Sequence, residues 1–130
     1  MAIQRAEVLL MDWDHSSESL RGAAIQILER IASKYPDVIA ETIEGTTPPF
    51  VVLKLFSPAA ADLPIVATVF YNGSYQIEVF GLLDMEEDTP AALEQTVDSV
   101  TSAVIHVAST GIPGTFKRRG FAPWEPSAIH

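Results

Sequence analysis

The chain has no cysteine among its 130 residues. This absence excludes a disulfide framework, a thiolate metal site and a cysteine nucleophile. The sequence also lacks any apolar run near the roughly 20 residues that a membrane span needs. Glu7, Asp12 and Asp14 interrupt the first apolar stretch, which therefore does not have the pattern of a signal peptide. We expect a cytoplasmic protein that does not contact a membrane.

Positive charge is scarce in this sequence. Eight lysines and arginines stand against 17 aspartates and glutamates, for a net charge of −9. An acidic body repels phosphates, so no nucleic-acid partner is expected. The apolar share of 48% is typical of a globular chain. We expect one domain over residues 1–111, followed by a tail over residues 112–130 that packs on the domain or on a partner.

Two segments have the apolar period of an amphipathic helix. The first runs from Ser16 to Tyr35, with Ser16 or Ser17 as its N-cap and Pro36 after its end. The second has Thr89 as its predicted N-cap and ends before Gly111. The two predicted apolar stripes are Leu20, Ala23, Ala24, Ile27, Leu28 and Ile31, and Leu93, Val97, Val100, Val104 and Val107.

Between the helices, four runs have the composition of β-strands. They are residues 37–44, 50–56, 64–71 and 74–81, and short connections between them favour an antiparallel meander. Residues 6–11 are a candidate fifth strand or an extended arm. The acidic run from Asp84 to Asp88 is interpreted as a solvated approach to the second helix. The predicted fold class is α+β: a two-layer sandwich with both helices on one face of a mainly antiparallel sheet of four or five strands.

Asn72-Gly73 predicts the pairing of the last two strands. Asn-Gly favours a two-residue type I′ turn, which would place Phe70 opposite Tyr75 and Thr68 opposite Ile77. Paired residues share a face of the sheet, and alternate residues switch face. The predicted core face therefore carries Val66, Thr68, Phe70, Tyr75, Ile77 and Val79, together with Val51, Leu53 and Leu55 of the preceding strand.

The opposite sheet face is then unusually apolar for a face in water. Its only strongly polar members are Lys54, Ser74, Gln76 and Glu78. Apolar patches of more than a few hundred Å² usually mark an interface, although the chain's own termini or a helix are alternative covers. The predicted partner-binding residues on this face are Phe50, Val52, Phe56, Val69, Tyr71 and Phe80.

The tail combines basic and aromatic residues. Its candidate anchors are Arg118, Arg119, Phe121 and Trp124. The favoured interpretation is that the tail folds back, with an arginine on the acidic surface and an aromatic ring on the sheet. Docking on a protein partner is the second interpretation, because tryptophan and arginine are typical interface anchors. Stacking on a single-stranded nucleic acid is the third.

Asp12, Asp14 and His15 form the main candidate for chemistry. Three donors within four residues suit a metal ion, but carboxylates before a helix also complement its dipole, and that interpretation is favoured. The run from Asp84 to Asp88 lacks the spacing and the glycine of an EF-hand loop. No nucleophile elbow or phosphate-binding loop is present, and His106 is predicted to be exposed.

These observations predict a non-enzymatic protein-interaction module without a cofactor. It would be an adaptor, chaperone-like or immunity-like protein that binds a protein partner or forms a homodimer through the apolar sheet face, the tail or both. The element order is similar to that of small two-layer folds in such proteins, which is an analogy of fold alone. The alternative hypothesis is a small enzyme or a ligand- or metal-binding protein that uses Asp12, Asp14 and His15.

Overall fold

The computed structural model describes residues 14–57, 60–79, 82–110 and 124, without the side chains of 60–63 and 82–84. In these ranges, two helices and five strands follow one another as α1 Ser17–Lys34, β1 Ile39–Thr46, β2 Pro49–Ser57, β3 Ala60–Phe70, β4 Tyr75–Val79, β5 Leu82–Glu87 and α2 Leu93–Thr110. The strands pair in chain order and every pair is antiparallel. Both helices pack on one face of this meander, which confirms the predicted two-layer α+β fold.

Helix α1 begins and ends close to the predicted limits. Ser16 is the N-cap, and its hydroxyl accepts the backbone N–H of Ser19 at 3.1 Å. Such a cap stabilises a helix by about 1 kcal/mol. The chain leaves the helix at Tyr35, just before Pro36. The buried residues of α1 are those of the predicted stripe: Leu20, Ala23, Ala24, Ile27 and Ile31, with Leu28 partly buried.

Helix α2 starts three residues later than the sequence indicates. Leu93 is its first residue, whereas Thr89 and Pro90 lie in the non-helical connection that follows β5. The reason is that this connection bonds to the β3–β4 turn, with the Ala91 N–H donating to the Asn72 carbonyl at 3.0 Å. The predicted apolar stripe is confirmed from Val97 to Val107, and His106 is exposed as predicted.

The acidic run after β4 is a strand. Residues 82–87 pair with β4 as the edge strand β5, with an irregularity between Ile77 and Glu78. The run was interpreted as a solvated approach to the second helix; its residues up to Glu87 instead form part of β5, and Glu86, Glu87 and Asp88 are exposed. Charged side chains are common on edge strands, because one side of the strand meets water. The other candidate for a fifth strand, residues 6–11, lies outside the described residues.

The β3–β4 hairpin differs from the prediction by one residue. Phe70 and Ser74 close the hairpin through a 2.9 Å bond from the Phe70 N–H to the Ser74 carbonyl. Gly73 alone has a positive φ among the described glycines, at 88°. This is the geometry of a three-residue loop with glycine in the left-handed position, not of a two-residue type I′ turn. The Asn72 side chain stabilises it by accepting the Ser74 N–H at 3.0 Å.

A shift of one residue reverses the faces of β3. Val69 is fully buried beneath the helices, although it was predicted on the opposite face. Val66, Thr68 and Phe70 were predicted in the core, and they lie on the face away from the helices. The predicted core residues of β2 and the predicted core residues Ile77 and Val79 of β4 are buried. The sheet side of the core comprises Val51, Leu53, Leu55, Ile65, Ala67, Val69, Ile77 and Val79.

The β3–β4 turn joins three separate parts of the chain. The His15 N–H donates to the Tyr71 carbonyl at 2.6 Å, just before α1. The Thr96 hydroxyl of α2 donates to the Gly73 carbonyl at 2.6 Å in a buried position. The His15 imidazole Nε2 lies 3.0 Å from the Ala91 carbonyl and links the two helix entries. Both helices thus start at the end of the sheet that carries this turn.

We predict that two glycine-to-alanine substitutions change stability in opposite directions. A Cβ on Gly73 would lie 2.0 Å from the Ala91 carbonyl oxygen and would also strain the positive φ. Gly73→Ala should lower the free energy of unfolding by about 2–4 kcal/mol. Gly22 lies within α1 and has nothing within 4 Å of an added Cβ. Gly22→Ala should therefore raise stability by about 0.5–1 kcal/mol.

Urea unfolding followed by far-ultraviolet circular dichroism measures both changes. A Gly73→Ala variant as stable as the unaltered chain would contradict the close approach of Ala91 to the turn.

Candidate functional site

The sheet face opposite the helices is the strongest candidate for a functional site, and we call it the open face. Ile39 and Ile43 of β1 are two of the three large apolar residues most exposed in the described chain, at 45% and 42%. The register places them beside Phe56 and Val52 of β2. The described apolar residues of the open face are Ile39, Ile43, Phe50, Val52, Phe56, Pro64, Val66 and Phe70.

One end of the open face is formed by aromatic rings. Phe50 pairs with Phe70 on β3 and with Gly45 on β1. A Cβ on Gly45 would come within 2.0 Å of the Phe50 ring, so the ring lies directly over the glycine backbone. Glycine in a strand is stabilised when an aromatic neighbour covers it in this way. The ring therefore belongs to the sheet surface and is not a freely mobile side chain.

The other end of the open face contains a shallow apolar hollow of about 580 Å³. Ile39, Phe56, Pro64 and Val66 contribute to its lining, together with Lys54. Its volume falls in the range of pockets that accept a side chain or a small ligand. The hollow offers an anchor site for an apolar group that approaches from outside the sheet.

The charges of the open face are unevenly distributed. Lys54 is its cation, and its ammonium lies 3.7 Å from Glu41 on the β1 edge. Glu78 on β4 has no ion pair among the described residues. Glu86 on β5 accepts a hydrogen bond from the Gln76 amide at 3.0 Å. The β4–β5 side is therefore negative, whereas the β1–β2 side is apolar and locally neutral.

The predicted partner-binding residues divide into three groups. Phe50, Val52 and Phe56 lie half-buried on the open face. Val69 lies in the core, and Tyr71 is half-buried in the β3–β4 turn rather than on a strand. Four of the predicted residues lie outside the described positions: Phe80, Arg118, Arg119 and Phe121. The prediction missed Ile39 and Ile43, because Glu41 lies between them on the same face of β1 and interrupts the apolar pattern.

Trp124 is a core residue, not an exposed anchor. Its exposed fraction is 2%, and its ring makes an edge-to-face contact with Tyr35 at 5.5 Å. Its backbone N–H donates to the Ala108 carbonyl at 2.6 Å. Trp124 therefore contacts the domain through both its ring and its backbone. The tryptophan packs at the ends of the helices and not on the sheet. Burial raises the pKa of the Tyr35 phenol.

The described part of the candidate metal cluster does not converge on an ion. Asp14 is exposed, and His15 lies between the β3–β4 turn and the entry to α2. Asp12 lies outside the described residues. Within the described ranges, no group of three or more histidine, aspartate or glutamate side chains is arranged to hold a metal.

The acidic run at the end of β5 has a measurable electrostatic signature. The charge of Glu86 is the largest of several causes that raise the pKa of Asp88, and Glu87 adds to it. Repulsion between neighbouring carboxylates favours the protonated form of one of them. The run therefore concentrates negative charge next to the β4–β5 side of the open face.

Comparisons with protein-family models, curated proteins and solved structures found no match to this chain. Neither described helix combines the length and the apolar content that crossing a bilayer requires. The geometry of the open face is therefore the main basis for a functional proposal.

We predict that Trp124→Ala destabilises the fold. Truncation of a buried tryptophan removes core contacts and lowers the free energy of unfolding by about 3–5 kcal/mol. Thermal and urea unfolding would measure the loss, and Tyr75→Ala serves as a control at a half-buried ring. A Trp124→Ala variant with unchanged stability would contradict the packing of the tail on Tyr35.

We also predict that Asp88→Asn stabilises the protein at neutral pH. A raised pKa means that the folded state disfavours the charged carboxylate, so the substitution removes a repulsion that acts when Asp88 is ionised. This gain in stability should shrink as pH falls through the raised pKa of Asp88. It should vanish below the ordinary aspartate pKa of 3.8. Glu29→Gln removes the same charge from an exposed site on α1, away from the acidic run, and is the matched control. If the stability of the two variants depended on pH in the same way, local repulsion at Asp88 would be contradicted.

Proposed function

We propose that this chain is a non-enzymatic protein-interaction module that binds a protein partner through the open face. The observation that carries the proposal is the set of apolar side chains on β1, β2 and β3, from Ile39 and Ile43 to Val66, that surrounds the Lys54–Glu41 ion pair on the open face. A sheet that packs helices on one face normally presents polar residues on the other. Apolar side chains grouped on an outer sheet face favour an interface.

The buried core lies on the inner face of the sheet and not on the open face. The core between the sheet and the two helices is complete, with buried residues from both helices and from β2, β3 and β4. Residues on the open face remain half-buried or exposed, so their substitution removes little core packing. Apolar character there is more useful for binding than for stability.

The engagement of His15 argues against the enzyme or metal-binding alternative. Its backbone and its imidazole both lie within hydrogen-bonding distance of main-chain carbonyls, at Tyr71 and Ala91. These contacts give His15 a structural role in joining the helix entries to the sheet. An adaptor-like or chaperone-like role fits the open face better than catalysis does.

Site-specific photocrosslinking tests the proposal directly. A benzophenone amino acid would replace Thr68, at the centre of the open face, and in a control it would replace the exposed Ser102 on α2. In cells that express the protein natively, we expect protein adducts from position 68 and few from position 102. An adduct of twice the chain mass would identify self-association, and a different mass would identify a partner.

A second substitution tests whether adduct formation depends on the apolar surface. Phe56→Ser should reduce the yield of adducts at position 68 about tenfold or more, because burying such a ring contributes about 1.5–3 kcal/mol. Ile25→Ser is the matched control, because Ile25 is 50% exposed on α1. Absence of adducts at position 68, or equal losses with both variants, would contradict the proposal.

A further inference from the structure

We infer that the occupant of the open face is an amphipathic helix of a partner protein, with one apolar face and lysines or arginines along one flank. This inference rests on the proposed function and specifies the chemistry of the partner. Two observations carry it: the dimensions of the apolar surface and the position of the Glu78 and Glu86 carboxylates beside it.

The dimensions of the apolar surface suit a helix. Its apolar residues lie on β1, β2 and β3, a width of about 10 Å for two strand spacings. This width matches the diameter of a helix with its side chains. From Phe50 to Phe56 the surface extends roughly 20 Å along β2, which corresponds to about 14 helical residues. The hollow beside Phe56 gives one side chain of such a helix a place to insert.

The charges beside this surface favour a basic flank. Glu78 is on β4, one strand beyond Val66, and Glu86 is on β5. A lysine or arginine on the flank of a helix seated over β2 lies within side-chain reach of β4. Lys54 lies in the middle of β2 and is paired with Glu41 of β1, so this pair is neutral and the uncompensated negative charge lies on the β4 and β5 side. The basic flank should therefore face β4.

Charge also argues against a second copy of the chain as the occupant. Each copy carries a net charge of −9, and the described open face has three carboxylates and one ammonium. Pairing two such faces brings like charges together, which costs free energy unless they are compensated. A basic helix compensates Glu78 and Glu86 and covers the apolar surface at the same time.

The test uses the full chain and two helical model peptides of about 18 residues. One peptide has leucine on one face and lysine on the other, and the second has glutamate in place of lysine. Fluorescence anisotropy of labelled peptides measures the affinity at several salt concentrations. We expect the lysine peptide to bind at least tenfold more tightly than the glutamate peptide, with a difference that falls as salt rises.

Matched variants separate the open face from the overall charge. The double substitution Glu78→Gln and Glu86→Gln should weaken binding of the lysine peptide about tenfold. The control pair, Glu29→Gln and Glu94→Gln, removes the same charge from exposed sites on the two helices and should change the affinity less than twofold. Phe56→Ser should weaken binding of both peptides.

Three results would overturn the inference. They are equal binding of the two peptides, equal weakening by the two pairs of glutamine variants, or a homodimer in light scattering that Phe56→Ser dissociates. Each of these leaves the proposed function testable on its own, because crosslinks from position 68 would still show whether the open face contacts a protein.

Discussion

The closure of the β3–β4 turn against both helix entries is the contact on which the rest of the structure depends. Gly73 allows the Ala91 carbonyl to approach its backbone, and Thr96 bonds the Gly73 carbonyl from α2. His15 joins the same turn from the side of α1. These contacts fix the register of β3 and β4, and the register determines which residues of β3 meet the helices. The same register therefore determines which residues of β3 lie on the open face.

Local signals predicted the helices well, because their apolar period, caps and breakers are all encoded nearby in the sequence. The faces of β3 were not predictable in this way. Ile65 and Val69 on one face are as apolar as Val66 and Phe70 on the other, so hydrophobicity does not distinguish them. Asn-Gly suits both a two-residue and a three-residue loop, and contacts from distant residues decide between them. The late start of α2 has the same cause, since its connection bonds to the turn.

The candidate site was predicted in part. Phe50, Val52 and Phe56 are on the open face because Lys54 correctly indicated the exposed side of β2. The fold-back interpretation expected an aromatic ring on the sheet, whereas Trp124 packs on Tyr35 and next to Ala108, which are remote in sequence. The segregation of charge also appears only in three dimensions: Glu41 neutralises Lys54 on one side of the face, while Glu78 and Glu86 remain on the other.

The absence of cysteine makes the central claim directly measurable. Single cysteines at Thr68 and Val69, each in the otherwise unchanged chain, would report the faces of β3 by their rates of thiol labelling under native conditions. The account predicts rapid labelling at position 68 and labelling at position 69 that is slowed to the rate of opening or unfolding. Rapid labelling at position 69 with protection at position 68 would contradict the register, and with it the open face.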